Sequence, residues 1–193
     1  ADDSEFKFAG VNPCAEEPLP AGGSCLLGAI NLAAFVNNGK FDFDDFAETV
    51  ARAVKALNEV LDEGLELHPL EEQRESVADW RQIGLGIFGL ADMLIKMGME
   101  YGSADSIVLC DRIGFVMADT TIGASAYLAR DKKPYNKFKP EALDKNLYFI
   151  ENTREETKRA VKRFGLRNSQ LLTIAPTGSI STMLGVSGGI EPI

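Results

Sequence analysis

Three residues near the start of the chain have side chains that could do chemistry together. Asn12, Cys14 and Glu16 are each separated by one residue, and Pro13 favours an extended conformation for Asn12. Alternate side chains of an extended segment project to one face. The spacing therefore predicts an amide, a thiol and a carboxylate side by side, which suits a redox or radical centre with a hydrogen-bond donor and a base. An inert cysteine in a polar turn is the alternative on spacing alone.

A second cysteine follows in the same loop, which covers about residues 10–28 and is too rich in Pro and Gly for a helix. The sequence PAGG between Cys14 and Cys25 could form a hairpin turn and bring both sulfurs to one pocket. Alternatively, Cys25 is a small core residue. A disulfide between the two is disfavoured, because the chain resembles a cytoplasmic protein in its cysteine usage. Cys110 lies in an apolar helical pattern, which predicts core packing.

A turn near the C-terminal end combines glycine with hydroxyl residues. It follows a short apolar run at residues 170–175, which predicts a buried strand. Backbone N–H groups at the start of a helix can bind phosphate without a lysine. A capped helix start that binds nothing is the alternative. The phosphate-binding hypothesis covers about residues 175–182 and names Pro176, Thr177, Gly178, Ser179, Ile180 and Ser181.

Residues 84–89, GLGIFG, match the G-x-G-x-x-G pattern of dinucleotide-binding folds. The preceding SVADWRQI is charged and is not an apolar strand, and the following residues do not lead to a second strand with an acidic end. The pattern therefore favours close packing through small residues. We expect a buried helix over about residues 84–97, ending at Gly98, with no cofactor at these glycines.

Helical spacing predicts three further helices. The first begins with a cap at Asp42 and continues to Gly64, the second covers about residues 104–130, and the third covers residues 154–164 and ends at Gly165. Helices that alternate with short apolar strands indicate an α/β fold.

The composition excludes several classes of protein. The chain has 193 residues, 45% of them hydrophobic, with 20 Lys+Arg against 29 Asp+Glu and a net charge of −9. This balance is typical of a soluble globular protein and argues against binding to nucleic acid polymers or acidic membranes. With one histidine, His68, no metal site is expected. No apolar run is long enough for a membrane helix, so we expect a cytoplasmic location.

Taken together, the motifs resemble those of a known family. NPCAE at residues 12–16 is followed by PLPAGGSCLLGAINL, RQIGLGIFGLADMLIKMGMEYGS, IAPTGSIS and GVSGGIEP. In this order they are similar to the catalytic (large) subunit of ribonucleotide reductase from residue 11 to the end. The resemblance implies a helix-rich part of a ten-stranded α/β barrel with a central finger loop. Residues 1–193 would be a single fragment of that barrel domain.

The resemblance also implies roles for the candidate residues. Cys14 would be the thiyl radical that abstracts the ribose 3′ hydrogen, and Glu16 the base for the 3′ hydroxyl proton. Asn12 would orient the substrate hydroxyls. Cys25 would belong to the cysteine pair that supplies two electrons as the 2′ hydroxyl leaves as water, and its partner is absent from this chain. The turn would hold the substrate phosphates.

Details of the motifs are more similar to one branch of the family. Pro13, the short Cys14-to-Cys25 spacing and the GVSGGIEP ending favour the adenosylcobalamin-dependent branch over the branch with a radical-generating metal subunit. The implied partners are a ribonucleoside di- or triphosphate, the rest of the catalytic subunit and a thioredoxin- or glutaredoxin-type reductant. The enzyme would supply DNA precursors, and the fragment alone would be inactive.

Two other functions remain open from the sequence. The chain could be a nucleotide-phosphate-binding module with inert cysteines. It could also be a thiol oxidoreductase that uses Cys14 and Cys25, although the C-x-x-C spacing of such enzymes is missing.

Overall fold

The computed structural model describes residues 6–193. Within this range the chain consists mainly of α-helices, with a few short strands. The strands are β1 (Phe8–Val11), β2 (Pro18–Pro20), β3 (Leu26–Asn31), β4 (Val36–Asn37), β5 (Lys40–Phe41) and β6 (Ile83–Phe88). The α-helices are α1 (Phe43–Gly64), α2 (Glu71–Trp80), α3 (Leu90–Met97), α4 (Ala104–Lys132), α5 (Leu147–Glu151), α6 (Glu155–Phe164) and α7 (Gly178–Leu184). Short 3-10 helices cover Leu32–Phe35, Leu65–Leu67 and Pro140–Ala142.

Strands β3 and β6 form the parallel pair at the centre of the fold. Leu26 lies opposite Ile83 at one end and Asn31 opposite Phe88 at the other. Parallel strands need a long crossover between them, and here the crossover contains α1 and α2. In the part of the chain that the structure describes, the strands form three two-stranded sheets, of which β3–β6 is parallel and the other two are antiparallel, and no closed barrel.

The other edge of β6 pairs with an extended segment at residues 170–173. The Leu85 N–H donates to the Leu171 carbonyl (2.8 Å), and the Thr173 N–H donates to the Leu85 carbonyl (3.2 Å). Beyond Thr173 the pairing stops, and the Ile174 side chain is 55% exposed. The predicted buried strand over residues 170–175 is therefore present only as a short extended segment with a single bridge at Leu172.

The glycine-rich run at residues 84–89 corrects the predicted second helix. Residues 84–88 belong to the buried strand β6, and α3 begins only at Leu90, after Gly89 with a φ of +70°. A β-carbon at Gly86 would lie 2.9 Å from the Thr173 carbonyl oxygen, so glycine there permits the close approach of the neighbouring segment. The predicted end of the helix at Gly98 is confirmed.

The three other predicted helices are confirmed. The Asp42 side chain accepts a hydrogen bond from the Asp45 N–H (3.1 Å) and caps α1, while Arg154 and Gly165 flank α6. Helix α4 packs against both α1 and α6. The apolar core lies between α1, the β3–β6 pair, α3 and α4, and its fully buried members include Leu32, Phe46, Val50, Val54, Ile83, Leu85, Met93 and Leu94.

A buried polar cluster fixes the start of the extended segment that leads to the C-terminal turn. The Asn168 side-chain amide donates to the Asn58 side-chain oxygen (3.1 Å) and to the Arg81 carbonyl (2.9 Å). Its Oδ1 accepts from the Ser125 hydroxyl (3.1 Å). Because Asn58 belongs to α1 and Ser125 to α4, both helices hold the chain just before residue 170.

Of the helices in residues 6–193, none combines the length and apolar character needed to cross a bilayer.

Candidate active site

Residues 12–17 form the tight loop of the β1–β2 hairpin. The Asn12 N–H donates to the Glu17 carbonyl (3.2 Å), the Ala15 N–H donates to the Asn12 carbonyl (2.9 Å), and Ala15 has a φ of +63°. The predicted extended segment with three side chains on one face is therefore wrong. The antiparallel pairing of Val11 with Pro18 requires the intervening residues to turn back.

The three predicted side chains have different environments in this loop. Asn12 is buried, and its Oδ1 accepts a hydrogen bond from the Glu17 N–H (2.9 Å), so it holds the loop closed. Cys14 is exposed at the tip. Glu16 is half-buried, and its Oε2 has no hydrogen-bond partner. The Thr173 hydroxyl contacts the Glu16 carbonyl (3.4 Å) and connects the loop to the extended segment.

One open cavity of about 330 Å³ brings the hairpin loop and the C-terminal turn together. The loop contributes Cys14 and Glu16, and strand β3 contributes its middle residues. A residue with a thiol and a residue with a carboxyl group thus line the same cavity as the turn. The full lining is Cys14, Glu16, Leu27, Gly28, Ala29, Ala175, Pro176, Thr177, Gly178, Ser179 and Ile180.

The turn leads into the short helix α7. Thr177 has a φ of +53°, and its hydroxyl accepts a hydrogen bond from the Gly189 N–H (2.8 Å). The first N–H groups of a helix have no acceptor within the helix, which leaves those of Gly178 and Ser179 beside the cavity. Ser181 differs from the other predicted phosphate ligands. It is buried, its hydroxyl donates to the Gly178 carbonyl (3.1 Å), and it does not line the cavity.

The residues after α7 connect the turn to the start of α3. The Gly89 N–H donates to the Ser187 carbonyl (2.8 Å), and the Ser187 N–H donates to Asp92 Oδ2 (2.6 Å). The Ser187 hydroxyl accepts from the Ala91 N–H (3.2 Å). The motif GVSGGIEP has a structural role here that its sequence did not predict. Its serine fixes the position of the turn relative to the β6–α3 junction.

Cys25 lies just before β3 and lines a different cavity, of about 250 Å³, together with His68 and part of α1. The prediction that Cys14 and Cys25 face one cavity is therefore wrong for the described residues. All three cysteines are free thiols. The polar neighbour of the Cys25 thiol is Glu17, because the hairpin loop turns the Glu17 carboxyl inward while it leaves Cys14 at the tip.

Glu17 is not among the site residues that the sequence predicted. Its side chain is 0% exposed, and neither carboxyl oxygen has a hydrogen bond of good geometry, although the Cys25 thiol interacts with the group. Burial, with a smaller contribution from the charge of Glu16, raises the pKa of Glu17 to about 7. Burial and the Glu17 charge raise the pKa of the Cys25 thiol to about 12. The signal available in the sequence was the adjacent acid pair at residues 16–17.

No group of three or more His, Cys, Asp or Glu side chains among residues 6–193 is arranged to hold a metal ion. Cys110 packs against the apolar core from α4, as predicted, and burial raises the pKa of its thiol.

The sequence of the chain is similar to those of known proteins. A family profile described as "Ribonucleotide reductase, barrel domain" matches residues 6–193. The chain therefore belongs to the ribonucleotide reductase large-subunit family and is part of its barrel domain.

Several curated relatives support this assignment. The chain is 37% identical over 184 residues to the "Vitamin B12-dependent ribonucleoside-diphosphate reductase" of Thermoplasma acidophilum, a match covering 95% of this chain and 22% of the relative. It is 33% identical to the protein of the same name from Mycobacterium tuberculosis, covering 97% and 24%. It is 29% identical to the "Ribonucleoside-diphosphate reductase subunit alpha" of Chlamydia pneumoniae, covering 88% and 18%. The chain thus spans about a fifth to a quarter of the length of these relatives.

Proposed function

We propose that this chain is the radical-bearing part of a ribonucleotide reductase that converts ribonucleotides to 2′-deoxyribonucleotides. The observation that carries the proposal is the cavity that contains Cys14, Glu16 and the turn at residues 175–180. This reaction needs three kinds of group close to one nucleotide: a thiol for hydrogen abstraction, a base, and backbone amides that bind phosphate.

In this proposal Cys14 and Glu16 act on the ribose. As a thiyl radical, Cys14 takes the hydrogen atom from the 3′ carbon, and Glu16 takes the proton of the 3′ hydroxyl. The position of Glu16 in the lining of the same cavity as Cys14 supports this role. Asn12 contributes differently from the sequence-based hypothesis. Its amide oxygen closes the hairpin loop and so positions Cys14.

The turn is the proposed site for the substrate phosphates. The N–H groups of Gly178 and Ser179 have no acceptor in their own helix, and no side chain crowds Gly178, because a β-carbon built there has nothing within 4 Å. Backbone amides bind phosphate by hydrogen bonds without a lysine. Pro176, Thr177 and Ile180 line the cavity. Ser181 lies outside it and stabilises the turn through the hydrogen bond from its hydroxyl to the Gly178 carbonyl.

In this proposal, two cysteines supply the two electrons for reduction, and Cys25 is the one that belongs to this chain. Its cavity is separate from that of Cys14 among the described residues. The complete site therefore also needs the rest of the catalytic subunit, with the second cysteine, and a thioredoxin- or glutaredoxin-type dithiol as the final reductant. On this basis the isolated chain has no activity.

Adenosylcobalamin is the proposed radical source, supported by the names of the Thermoplasma acidophilum and Mycobacterium tuberculosis relatives. When bound, it would supply the radical that takes the hydrogen of the Cys14 thiol. The exposed position of Cys14 at the hairpin tip fits a radical source that approaches from outside this chain. A radical-generating metal subunit is the alternative, and the name "subunit alpha" of the Chlamydia pneumoniae relative is consistent with an enzyme that has a second kind of subunit.

A nucleotide-phosphate-binding module without catalysis would use the same turn, so the cavity is also compatible with this second function. A thiol oxidoreductase is less consistent with the structure, because Cys14 and Cys25 line different cavities.

A reduction assay distinguishes these functions. This chain is assembled with the remaining parts of the catalytic subunit, and deoxyribonucleotide formation is measured with and without adenosylcobalamin. We expect turnover only in the assembled enzyme with the cofactor and a dithiol. If the assembled enzyme binds a nucleoside diphosphate but shows no turnover with any radical source, the binding module is supported instead.

A further inference from the structure

The segment after α7, residues 186–190, supports the C-terminal turn from outside the cavity. The Gly189 N–H donates to the Thr177 hydroxyl (2.8 Å). A β-carbon at Gly188 would lie 3.2 Å from the Pro176 carbonyl oxygen, so the backbones of the segment and the turn lie close together. The conformation of the turn therefore depends on the position of this segment.

Asp92, in the first turn of α3, anchors the segment. Its Oδ2 accepts a partly buried hydrogen bond of 2.6 Å from the Ser187 N–H. Hydrogen bonds to a carboxylate are shorter and stronger than those between neutral groups. Two further bonds join the same elements, because the Ser187 hydroxyl accepts from the Ala91 N–H (3.2 Å) and the Ser187 carbonyl accepts from the Gly89 N–H (2.8 Å).

Together these bonds form a helix cap in which one residue comes from a distant part of the sequence. In a capping box, the N-cap side chain accepts from a backbone N–H of the first turn, and an acidic side chain of that turn accepts from the N-cap N–H. Gly89 occupies the N-cap position of α3 and makes no side-chain cap, and Ser187 supplies the hydroxyl and the N–H instead. Because Ser187 and Asp92 are 95 residues apart, the cap of α3 also fixes the segment that supports the turn.

We propose that Asp92 is a positioning residue for the substrate phosphates, which acts through Ser187 on the backbone of the turn. This inference rests on the proposed function, in which the turn binds these phosphates. Asp92 does not line the cavity of Cys14. Its effect is therefore on the conformation of the turn and not on the reacting atoms.

The expected effect of Asp92 is on affinity for phosphate. Backbone N–H groups bind an anion only when several of them converge on it. Thr177 has a φ of +53°, which is unfavourable for a β-branched residue, so the turn keeps this conformation only while its neighbours hold it. Interactions that are equal in the bound substrate and in the transition state change KM and leave kcat unchanged.

The first test measures amide hydrogen exchange in this chain by NMR. With Asp92→Ala, the Gly189 amide should exchange about 10-fold faster, because the segment that contains it loses its anchor on α3. The Leu85 amide of β6 is the internal control, since its bond to the Leu171 carbonyl does not involve this segment. Asp105→Ala is the matched variant, because Asp105 is also an acidic residue in the first turn of a helix, but it is exposed. It should leave the Gly189 rate unchanged.

An unchanged Gly189 rate in Asp92→Ala would overturn the proposal. Asp92→Asn keeps an oxygen that can accept from the Ser187 N–H, so its Gly189 rate should stay within about twofold of that of the unchanged chain. Equal rates for the Asn and Ala variants would show that the hydrogen bond is not what holds the segment.

A general loss of stability would appear as faster exchange at Leu85 as well. In that case Ser187→Ala decides, because it removes only the bond from the Ala91 N–H and keeps the backbone of the segment. Its Gly189 rate should rise about threefold, with the Leu85 rate unchanged. No rise at Gly189 would overturn the proposal.

The functional arm uses the assembled enzyme and separates KM from kcat. Asp92→Ala should raise the KM for a ribonucleoside diphosphate about 10-fold and leave kcat within about twofold of that of the unchanged enzyme. The inhibition constant of inorganic pyrophosphate should rise by the same factor, because this probe contains only the phosphate groups. A lower kcat with an unchanged KM, or a higher KM with an unchanged pyrophosphate constant, would contradict the positioning role.

The inference and the proposed function can fail separately. If the unchanged assembled enzyme has no turnover, the proposed function fails, and binding of inorganic pyrophosphate to this chain is then followed at the amide signals of Gly178 and Ser179. Asp92→Ala should weaken this binding about 10-fold. Equal binding by the two chains would overturn the inference alone, whereas no binding by the unchanged chain would overturn both the phosphate site and the role of Asp92.

Discussion

The carboxyl group of Glu17 occupies the space that a side chain at Gly84 would need. A β-carbon at Gly84 would overlap Glu17 Oε1 and would also come within 2.7 Å of Leu27 Cδ2 and 2.8 Å of Thr173 Cγ2. The glycine of β6 therefore makes room for a buried acid from the hairpin loop and for the extended segment on the other side. A motif that resembles a dinucleotide-binding loop has a packing function here.

Gly84→Ala should lower the free energy of unfolding by about 2–4 kcal/mol, because three neighbours must move to relieve the overlap. Urea unfolding monitored by circular dichroism measures this change. The matched control is Gly114→Ala in α4, where a β-carbon has no other residue within 4 Å. Alanine there should stabilise the chain by about 0.5–1 kcal/mol, since glycine is unfavourable inside a helix. Equal effects of the two substitutions would refute the packing role of Gly84.

Asn168→Ala should destabilise the chain by about 2–4 kcal/mol. The substitution leaves buried polar groups of Asn58 and Ser125 without their partner. The free-energy cost of removing these groups from water is then no longer offset by a hydrogen bond. Asn136→Ala is the control, because its bond to Asp79 is exposed, and it should change stability by less than about 0.5 kcal/mol. Comparable losses for the two variants in urea unfolding would show that the buried cluster does not hold the chain before the turn.

The pKa of Glu17 predicts a dependence of stability on pH. Its pKa is raised from 4.5 to about 7 in the folded chain, so the folded state binds this proton more tightly than the unfolded state. The contribution to stability is fully present below pH 4.5 and is lost as the pH rises to about 7. After allowance for relaxation around the charge, we expect a loss of about 2 kcal/mol over this window.

Glu17→Gln isolates this effect, because the other titratable groups cancel in the difference between the two chains. The unfolding free energy of the variant minus that of the unchanged chain should increase between pH 4.5 and 7.5 and stay constant above that range. A difference that does not vary with pH would mean that the Glu17 carboxyl is not held in its protonated form by burial.

The sequence predicted the long helices because their apolar residues recur with a helical period and their ends carry caps. The first turn of α1 and the end of α6 follow these signals closely. Strand β6 was missed because a strand that is buried on both faces has no alternation, and its apolar, glycine-rich run resembles a buried helix. The pairing of β6 with β3 and with residues 170–173 decides between the two, and these contacts join residues far apart in the sequence.

The structure brings together only some of the predicted site residues, because Asn12, Cys25 and Ser181 lie outside the cavity that Cys14 lines. The motifs placed Cys14, Glu16 and the turn in one site, and these residues line one cavity. The orientation of Asn12 and the position of Cys25 depend on the hairpin closure, where Ala15 adopts a φ of +63° that a local pattern does not reveal. The inward direction of Glu17 follows from the same closure.

Cys14→Ser should leave the fold intact, with a change in unfolding free energy below about 0.5 kcal/mol, because the side chain is exposed at the tip of the loop. In the assembled enzyme the same variant should have no turnover, since a serine O–H bond is too strong to form a usable radical. Thermal unfolding of the chain and deoxyribonucleotide formation by the enzyme measure the two effects separately. A loss of both would indicate a structural role for Cys14.

The most direct test of the central claim separates hydrogen abstraction from reduction. The assembled enzyme is given a ribonucleotide with tritium at the ribose 3′ carbon, and the release of tritium to water is compared between Cys14→Ser and Cys25→Ser. The account predicts no release with Cys14→Ser, because the abstracting thiol is gone. It predicts measurable release without sustained turnover with Cys25→Ser, because abstraction precedes reduction. Release from Cys14→Ser at the rate of the unchanged enzyme would contradict the assignment of Cys14 as the radical residue.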